Sequence, residues 1–427
     1  MLPRSTRSTF NVMHQAKLSL SHMSDTHLGY EAYPALSASG NNQRGEDMVR
    51  AFVNIARDAI EWDPALVIHA GDVTERPRVG VNYMLQIQQL LTKMASIRPD
   101  GTRRQVLVVA GNHELPRSRK ESCWLELLSP IPGVRVVSAG QEVVRYTAGG
   151  DMPAELNGVA IHCLPHDALK GLDFATVVPD PDATANILVA HGVAMGSELF
   201  LRSLGREFPI EGDAMMRDWD YVALGHFHKR GPVGGLRRDG VDRVWYSGSP
   251  ENVSFRDVRD NAGGKGYLRV EIDGPNLIVT PRDLPTRPMF RLPIIDTKDM
   301  AAGEITAALI TNIESTDVSG AIVGQLLDNM NRDMWNLLDL ASVRRRAGSA
   351  LHYSITPSFA RLEQAVGRGD GLGNLGAVLE EQIATTVNAA LAGDVRKLAT
   401  TLLGNALSGP IDPEHEVGEE VAGEVNA

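Results

Sequence analysis

The sequence is poor in cysteine, in long apolar runs and in net positive charge, and each shortage removes a class of protein. Two cysteines, Cys123 and Cys163, in 427 residues cannot build a disulfide framework, and they fit a reducing cytoplasm. Both read as small buried apolar side chains. No run approaches the ~20 apolar residues that span a bilayer, so no membrane role is expected. Residues 1–16 carry basic and hydroxyl side chains without an apolar h-region, so they read as a disordered lead and not as a secretory signal, with translation able to begin at Met13. The formal net charge of −11 argues against nonspecific coating of nucleic acid, because neutralising phosphates takes lysine and arginine. Much of that acidity sits in the tail, 409–427, which holds Asp412, Glu414, Glu416, Glu419, Glu420 and Glu424 without a basic residue and reads as solvated disorder.

What is present is a series of apolar runs that each end in metal-ligand chemistry. Leu18 to Met23 leads into Asp25-Thr-His27, and residues two apart on an extended segment point the same way. Leu66 to Ala70 leads into Gly71-Asp72, and Val106 to Ala110 into Gly111-Asn112-His113-Glu114. Ile187 to Ala190 leads into His191-Gly192, and Tyr221 to Leu224 into Gly225-His226-Phe227-His228. Any one such dipeptide is usually a plain turn after a strand, but five in order form a constellation. Asp25, His27, Asp72, Asn112, His191, His226 and His228 are candidate ligands, since manganese, magnesium and zinc take oxygen and imidazole nitrogen. Asp72 can bridge two ions, because a carboxylate has two oxygens. Two ions roughly 3.5–4 Å apart can clamp one phosphate.

Between these motifs the periodicity is helical. Met48, Phe52, Ile55, Ala59 and Ile60 fall on one side of 42–62, Met84, Ile87, Leu90, Leu91 and Met94 of 81–94, and Trp124, Leu127 and Leu128 of 122–128. Such stripes are mostly core. Residues 131–165 and 241–281 have short alternating strands with Gly, Asp and Pro turns, which predicts antiparallel additions to a sheet. The expected architecture is a two-sheet α/β sandwich with the ligands on loops at strand ends. His69, His162 and His166 have no motif partner and read as core or loop histidines.

Asp283-Leu-Pro-Thr-Arg-Pro288 marks a boundary, followed by a small α+β module over 286–360. It is expected to hold a helix around Ala308, Leu309 and Ile313, a strand at Ala321-Ile322-Val323, and a helix from Met334 to Leu340. A glycine-rich linker opens 361–408. There Leu375, Leu379, Ile383, Val387 and Leu391 recur every four residues, a stripe that must be buried on its own domain or in a partner's groove. Charge is also local: Arg76 and Arg78 follow the second motif, Arg117, Arg119 and Lys120 the third, Arg202 and Arg206 the fourth, and Lys229 and Arg230 the last. Recurrence at metal-bearing loops favours a polyanion path.

The ordered D-x-H, G-D, G-N-H-[ED], H and G-H-x-H motifs resemble the signature of the calcineurin-like metallophosphoesterase superfamily. Asp25-Thr-His-Leu-Gly-Tyr30, Tyr246-Ser-Gly-Ser-Pro-Glu-Asn-Val-Ser-Phe255 and Gly264-Lys-Gly-Tyr267 narrow the resemblance to the nuclease subunits of SbcCD-type DNA repair complexes, well over 17–285 and more loosely to 355. The resemblance implies an α/β/β/α sandwich metallophosphoesterase domain (17–285), a small capping domain that helps seat DNA, C-terminal helices that dock an SMC-like coiled-coil ATPase, and a homodimer built by helices after the second and third motifs. It implies two divalent ions, most commonly Mn²⁺ with Mg²⁺ or others possible, one on Asp25, His27, Asp72 and His228 and the other on Asp72, Asn112, His191 and His226. His113 becomes the proton donor to the leaving oxygen, a task suited to an imidazole titrating near neutrality. The activity implied is sequence-indifferent exonuclease and endonuclease cleavage of DNA. A phosphatase or small-molecule phosphodiesterase is the alternative, and a non-catalytic scaffold would have no need of seven intact ligands. One departure is Glu75, where many relatives carry histidine.

Overall fold

The computed structural model describes residues 17–116, 122–195, 208–260 and 264–359. The expected lead, the linker and stripe of 361–408, the acidic tail, and Arg117, Arg119, Lys120, Arg202 and Arg206 lie outside the described residues.

The first unit begins with the strand–helix rhythm read from the motifs. β1 (Leu18–Met23), α1 (Gln43–Trp62), β2 (Leu66–Ala70), α2 (Val81–Met94) and β3 (Gln105–Val109) follow in turn, and the three strands pair in parallel. The helix start is set by Asn42, whose side-chain oxygen accepts from the backbone N–H of Arg44 at 2.9 Å and of Gly45 at 3.2 Å. β4 (Val134–Val137) extends the sheet in parallel. β5 (Glu142–Arg145) pairs antiparallel with β6 (Val159–Leu164), which runs parallel to β7 (Ala185–His191). A short parallel pair, β8 (Val193–Ala194) with β9 (Pro209–Ile210), precedes β10 (Tyr221–Gly225), which joins β7 in parallel. β11 (Gly231–Pro232), the hairpin β12 (Arg237–Arg238) and β13 (Val241–Asp242), then β14 (Val244–Tyr246), β15 (Gly266–Asp273) and β16 (Asn276–Asp283) complete the unit.

Two six-stranded sheets result, in the orders β16-β15-β1-β2-β3-β4 and β11-β14-β10-β7-β6-β5. The expectation of antiparallel additions holds for β5, β15 and β16 but not for β4, which joins in parallel, while β6 and β14 each pair antiparallel with one neighbour and parallel with the other. Short alternating strands look alike in sequence whichever direction their partner runs.

Strand alternation assigns the layers. Leu66, Ile68 and Leu107 from the first sheet meet Ile161, Ile187, Val189 and Tyr221 from the second in one buried cluster. The opposite faces, Val67, Val106 and Val108, pack under Phe52, Ile55, Ile87 and Leu91 of the helices, while Leu188, Val222 and Leu224 pack with Phe174 and Trp219. This is the two-sheet α/β sandwich expected. Each fully buried Leu, Ile or Val contributes about 1.5–3 kcal/mol relative to exposure, so the strand ends form a firm platform. Both cysteines are buried, and so are His69, His162 and His166. Ile60 and Leu127 depart from their stripes, at 41% and 72% exposure. They share the surface with Val53, Val81 and Leu85.

Segments 318–324 and 347–353 belong to this first unit, whereas 292–317, 325–346 and 354–359 belong to a second. In the second, helix Ala302–Glu314 buries Ile305, Leu309 and Ile313, and Ile295 pairs in parallel with Leu327. The single helix expected from Met334 to Leu340 is instead two, Arg332–Asn336 and Leu340–Arg346, the first started by Asn331, which accepts from Asp333 N–H at 2.8 Å. Among the described residues, no helix is long and apolar enough to cross a membrane.

Candidate metal centre

All five motif loops lie at the C-terminal ends of parallel strands β1, β2, β3, β7 and β10, where an α/β fold gathers its functional groups. The loops are pinned together by backbone bonds: Asp25 N–H donates to Gly71 O at 2.9 Å and His27 N–H to Asp72 O at 3.1 Å. Glu114, the last residue of its motif, accepts through its carboxylate from the backbone N–H of Asp72, Thr74 and Gly111 at 2.7–3.1 Å. Burial and the neighbouring Asp72 charge push the Glu114 carboxyl up to about 7.

The turns are strained. Asp25, His27, Asp72 and His226 have φ of 52°, 44°, 54° and 105°, at a cost of about 1–3 kcal/mol each. The buried sheets beneath can hold such strain because their apolar contacts outweigh it. Gly71 has φ of +97°, and a Cβ there would lie 2.1 Å from His191 Nδ1. A side chain at position 71 would therefore drive the imidazole out of place.

Three groups of convergent donors result: Asp25, His27 and His228; His27, Asp72 and His113; Asp72, His191 and His226. Asn112 joins the third, with Oδ1 3.0 Å from His191 Nε2 and 3.1 Å from His226 Nδ1. Asp72 stands in the middle, its Oδ2 at 3.2 Å from His191 Nε2 and 3.9 Å from His27 Nε2. Its Oδ1 accepts the backbone N–H of His113 at 3.0 Å. The structure thus brings all seven candidate ligands and His113 together.

The donor set fits cations. His191 Nδ1 lies 2.8 Å from the Ala70 carbonyl oxygen, which can only accept, so Nδ1 carries the hydrogen and the lone pair of the neutral ring is on Nε2. That lone pair faces two oxygens. His27 Nε2 and His228 Nε2 likewise face each other at 3.0 Å, while the Nδ1 of each faces a carboxylate, Glu75 at 2.9 Å and Asp257 at 3.2 Å. Acceptors aimed at acceptors need positive charge between them, from protons or from metal ions. The same demand appears in the titration of His191: burial opposes its charge, but Asp72 outweighs burial and pushes it up to about 9. His226 goes the other way, down to about 3, through burial and the neighbouring His191.

The residues around the donors explain the longer motif at 246–255. Tyr246 donates its hydroxyl to Gly192 O at 2.9 Å, and Ser247 Oγ lies 2.7 Å from Ser24 Oγ. Lys265 Nζ donates to His228 O at 3.0 Å and to Ser249 Oγ at 2.7 Å. Asp257, which sequence reading missed, accepts from Val253 N–H at 2.7 Å and faces His228 Nδ1. Burial opposes its charge, but His228 and Lys265 hold it below the usual carboxylate range. His166, read as a core histidine, is buried yet stacks on the His226 ring with centroids 6.2 Å apart.

Of the basic residues proposed to meet a polyanion, Arg76, Arg78 and Lys229 are exposed. Arg230 is a correction: it is 6% exposed, with its guanidinium on the Arg282 carbonyl at 3.1 Å and on the Asp283 carboxylate. It ties the last motif to β16 and is not open to a phosphate.

A two-sheet sandwich carrying these donors at its strand ends defines the class. The family model for calcineurin-like phosphoesterases matches residues 18–245, and the chain belongs to that family. Within it, the chain is similar to archaeal proteins named DNA double-strand break repair protein Mre11. It is 28% identical to that of Haloferax volcanii over 306 residues, covering 71% of this chain and 59% of the relative. To the Methanocaldococcus jannaschii protein it is 26% identical over 271 residues, covering 61% and 64%, and to that of Methanococcus maripaludis 24% over 258, covering 59% and 63%. The chain therefore spans less than two thirds of these relatives' lengths.

Proposed function

We propose that this protein is a metal-dependent DNA nuclease, acting on ends and internally in break repair or recombination. The observation that carries the reading is the convergence of seven buried or half-buried donors, Asp72 among them at the middle, with His113 beside them and one third of its side chain open to solvent. The assignment of Asp25, His27, Asp72 and His228 to one ion and of Asp72, Asn112, His191 and His226 to the other is supported by the two outer donor groups, which share the neighbourhood of Asp72. Two divalent ions, Mn²⁺ the first choice, would neutralise phosphate charge and lower the pKa of a water near 7. His113 Nδ1 is held by the Glu75 carbonyl oxygen at 2.7 Å, which directs Nε2 toward the space above Asp72 for proton delivery. Exposed Arg76, Arg78 and Lys229 are suited to phosphates on the approaching strand.

The experiment is cleavage of labelled single- and double-stranded DNA by the purified protein with Mn²⁺, set against a small aryl phosphate monoester. DNA cleavage is expected to dominate. Turnover of the monoester with no DNA cleavage would establish the phosphatase alternative.

The same reading assigns the module over 286–360 as the capping domain, the exposed Val81, Leu85 and Leu127 of the helices after the second and third motifs as a homodimer surface, and the apolar stripe of 375–402 as the dock for an SMC-like ATPase. Truncation at Gly367 is then expected to abolish co-purification of that ATPase while leaving Mn²⁺ binding intact. Loss of metal on truncation would place the stripe in the catalytic core instead.

A further inference from the structure

The two halves of the centre are built unequally, and the inequality lies behind the donors. On one side, His27 Nδ1 lies 2.9 Å from Glu75 Oε2 in an ion-pair contact, and neither atom makes a hydrogen bond among the described residues. His228 Nδ1 faces both oxygens of Asp257 at 3.2 Å. Asp257 is itself fixed by the N–H groups of Val253 at 2.7 Å and Ser254 at 3.1 Å. On the other side, His191 Nδ1 is held by a neutral carbonyl, that of Ala70 at 2.8 Å. His226 turns its Nδ1 inward, 3.1 Å from the amide oxygen of Asn112 in the same donor group.

A carboxylate on Nδ1–H fixes the tautomer and makes Nε2 a stronger donor than a carbonyl does. Charge follows the same division. Asp25, Glu75 and Asp257 surround the His27 and His228 side, offset by Lys265, whose Nζ is 3.7 Å from Asp257. The His191 side has Glu114, whose oxygens are occupied by backbone N–H groups, and both sides share Asp72. We propose that Glu75 and Asp257 are paired positioning residues that make the His27–His228 half the tight half, so that the first ion loads there and the second, more weakly, against Asn112, His191 and His226. This gives Glu75 a task of its own: its carboxylate orients His27 while its main-chain carbonyl orients His113.

The inference rests on the metal-centre reading above, and the test separates the two. Full-length apoprotein is titrated with Mn²⁺, following heat and the loss of the free-ion paramagnetic resonance signal. Wild type is expected to bind two ions in two resolved steps. Glu75→Ala and Asp257→Ala should each weaken the tight step about 10–100-fold, the usual loss when such an outer partner is removed, and leave the weak step within about 3-fold. Glu75→Gln keeps a neutral acceptor and should give a smaller loss at the same step, which also covers failure of the alanine variant to fold. Two ions bound with one affinity, loss confined to the weak step, or no change in these variants would overturn the proposal and leave the centre standing. Absence of stoichiometric Mn²⁺ binding by wild type would overturn both.

Discussion

Asp72→Ala is expected to abolish DNA cleavage and to lower the occupancy of both metal positions together. The reason is placement: Oδ2 lies between His191 Nε2 at 3.2 Å and His27 Nε2 at 3.9 Å, so the carboxylate belongs to two of the three donor groups and reaches toward both halves of the centre. It is also the charge that lifts His191 to about 9 against the pull of burial, so its removal deprives a fully buried imidazole of its counter-charge. Since losing an outer partner alone costs about 10–100-fold in affinity, losing this shared donor should exceed that at each position. His228→Ala should weaken chiefly one ion, because His228 sits in a single group with Asp25 and His27. Metal content after dialysis, measured on both variants alongside circular dichroism, decides it. Loss from only one position in Asp72→Ala would remove the bridge.

How much of this was readable in the sequence depended on distance along the chain. Each strand-plus-motif is local, so the seven candidate ligands and the strand–helix alternation through β1, α1, β2, α2 and β3 could be read from pattern alone. The outer carboxylates did not: Asp257 reaches His228 from 29 residues away, and nothing near either residue announces the pairing. Glu75 stood out only as a departure from the histidine found in relatives, while its contact with His27 required the fold. Arg230 misled because a basic residue beside a motif looks exposed, whereas the carbonyl of Arg282 and the carboxylate of Asp283 hold it inside. Strand direction failed for β4, and for one neighbour each of β6 and β14, for a related reason. Alternation reports which face is buried, and the direction of the neighbour is a property of topology.

The second large effect concerns His113. Its backbone N–H bonds Asp72 Oδ1 at 3.0 Å, its Nδ1 bonds the Glu75 carbonyl oxygen at 2.7 Å, and its Nε2 stands 4.0 Å from Asp72 Oδ2. A carbonyl partner fixes Nδ1–H, so Nε2 is the nitrogen that can give a proton to the reacting group. The ring, one third open to solvent, leaves room for a substrate oxygen to approach it. Cleaving DNA expels a sugar alkoxide, a strong base that leaves poorly unless protonated, and loss of a general acid typically costs about 10²–10⁴-fold. An aryl phosphodiester releases a phenolate, a far weaker base that needs little help. His113→Gln, with the wild-type backbone bond to Asp72 retained, is therefore expected to keep its Mn²⁺ content, to lose about 10²–10⁴-fold on DNA, and to lose much less on bis-(p-nitrophenyl) phosphate. Rates on both substrates, with metal content measured on the same preparation, test the assignment. Equal losses on the two would show that His113 orients the phosphate or the nucleophile, and would leave the leaving oxygen without this donor.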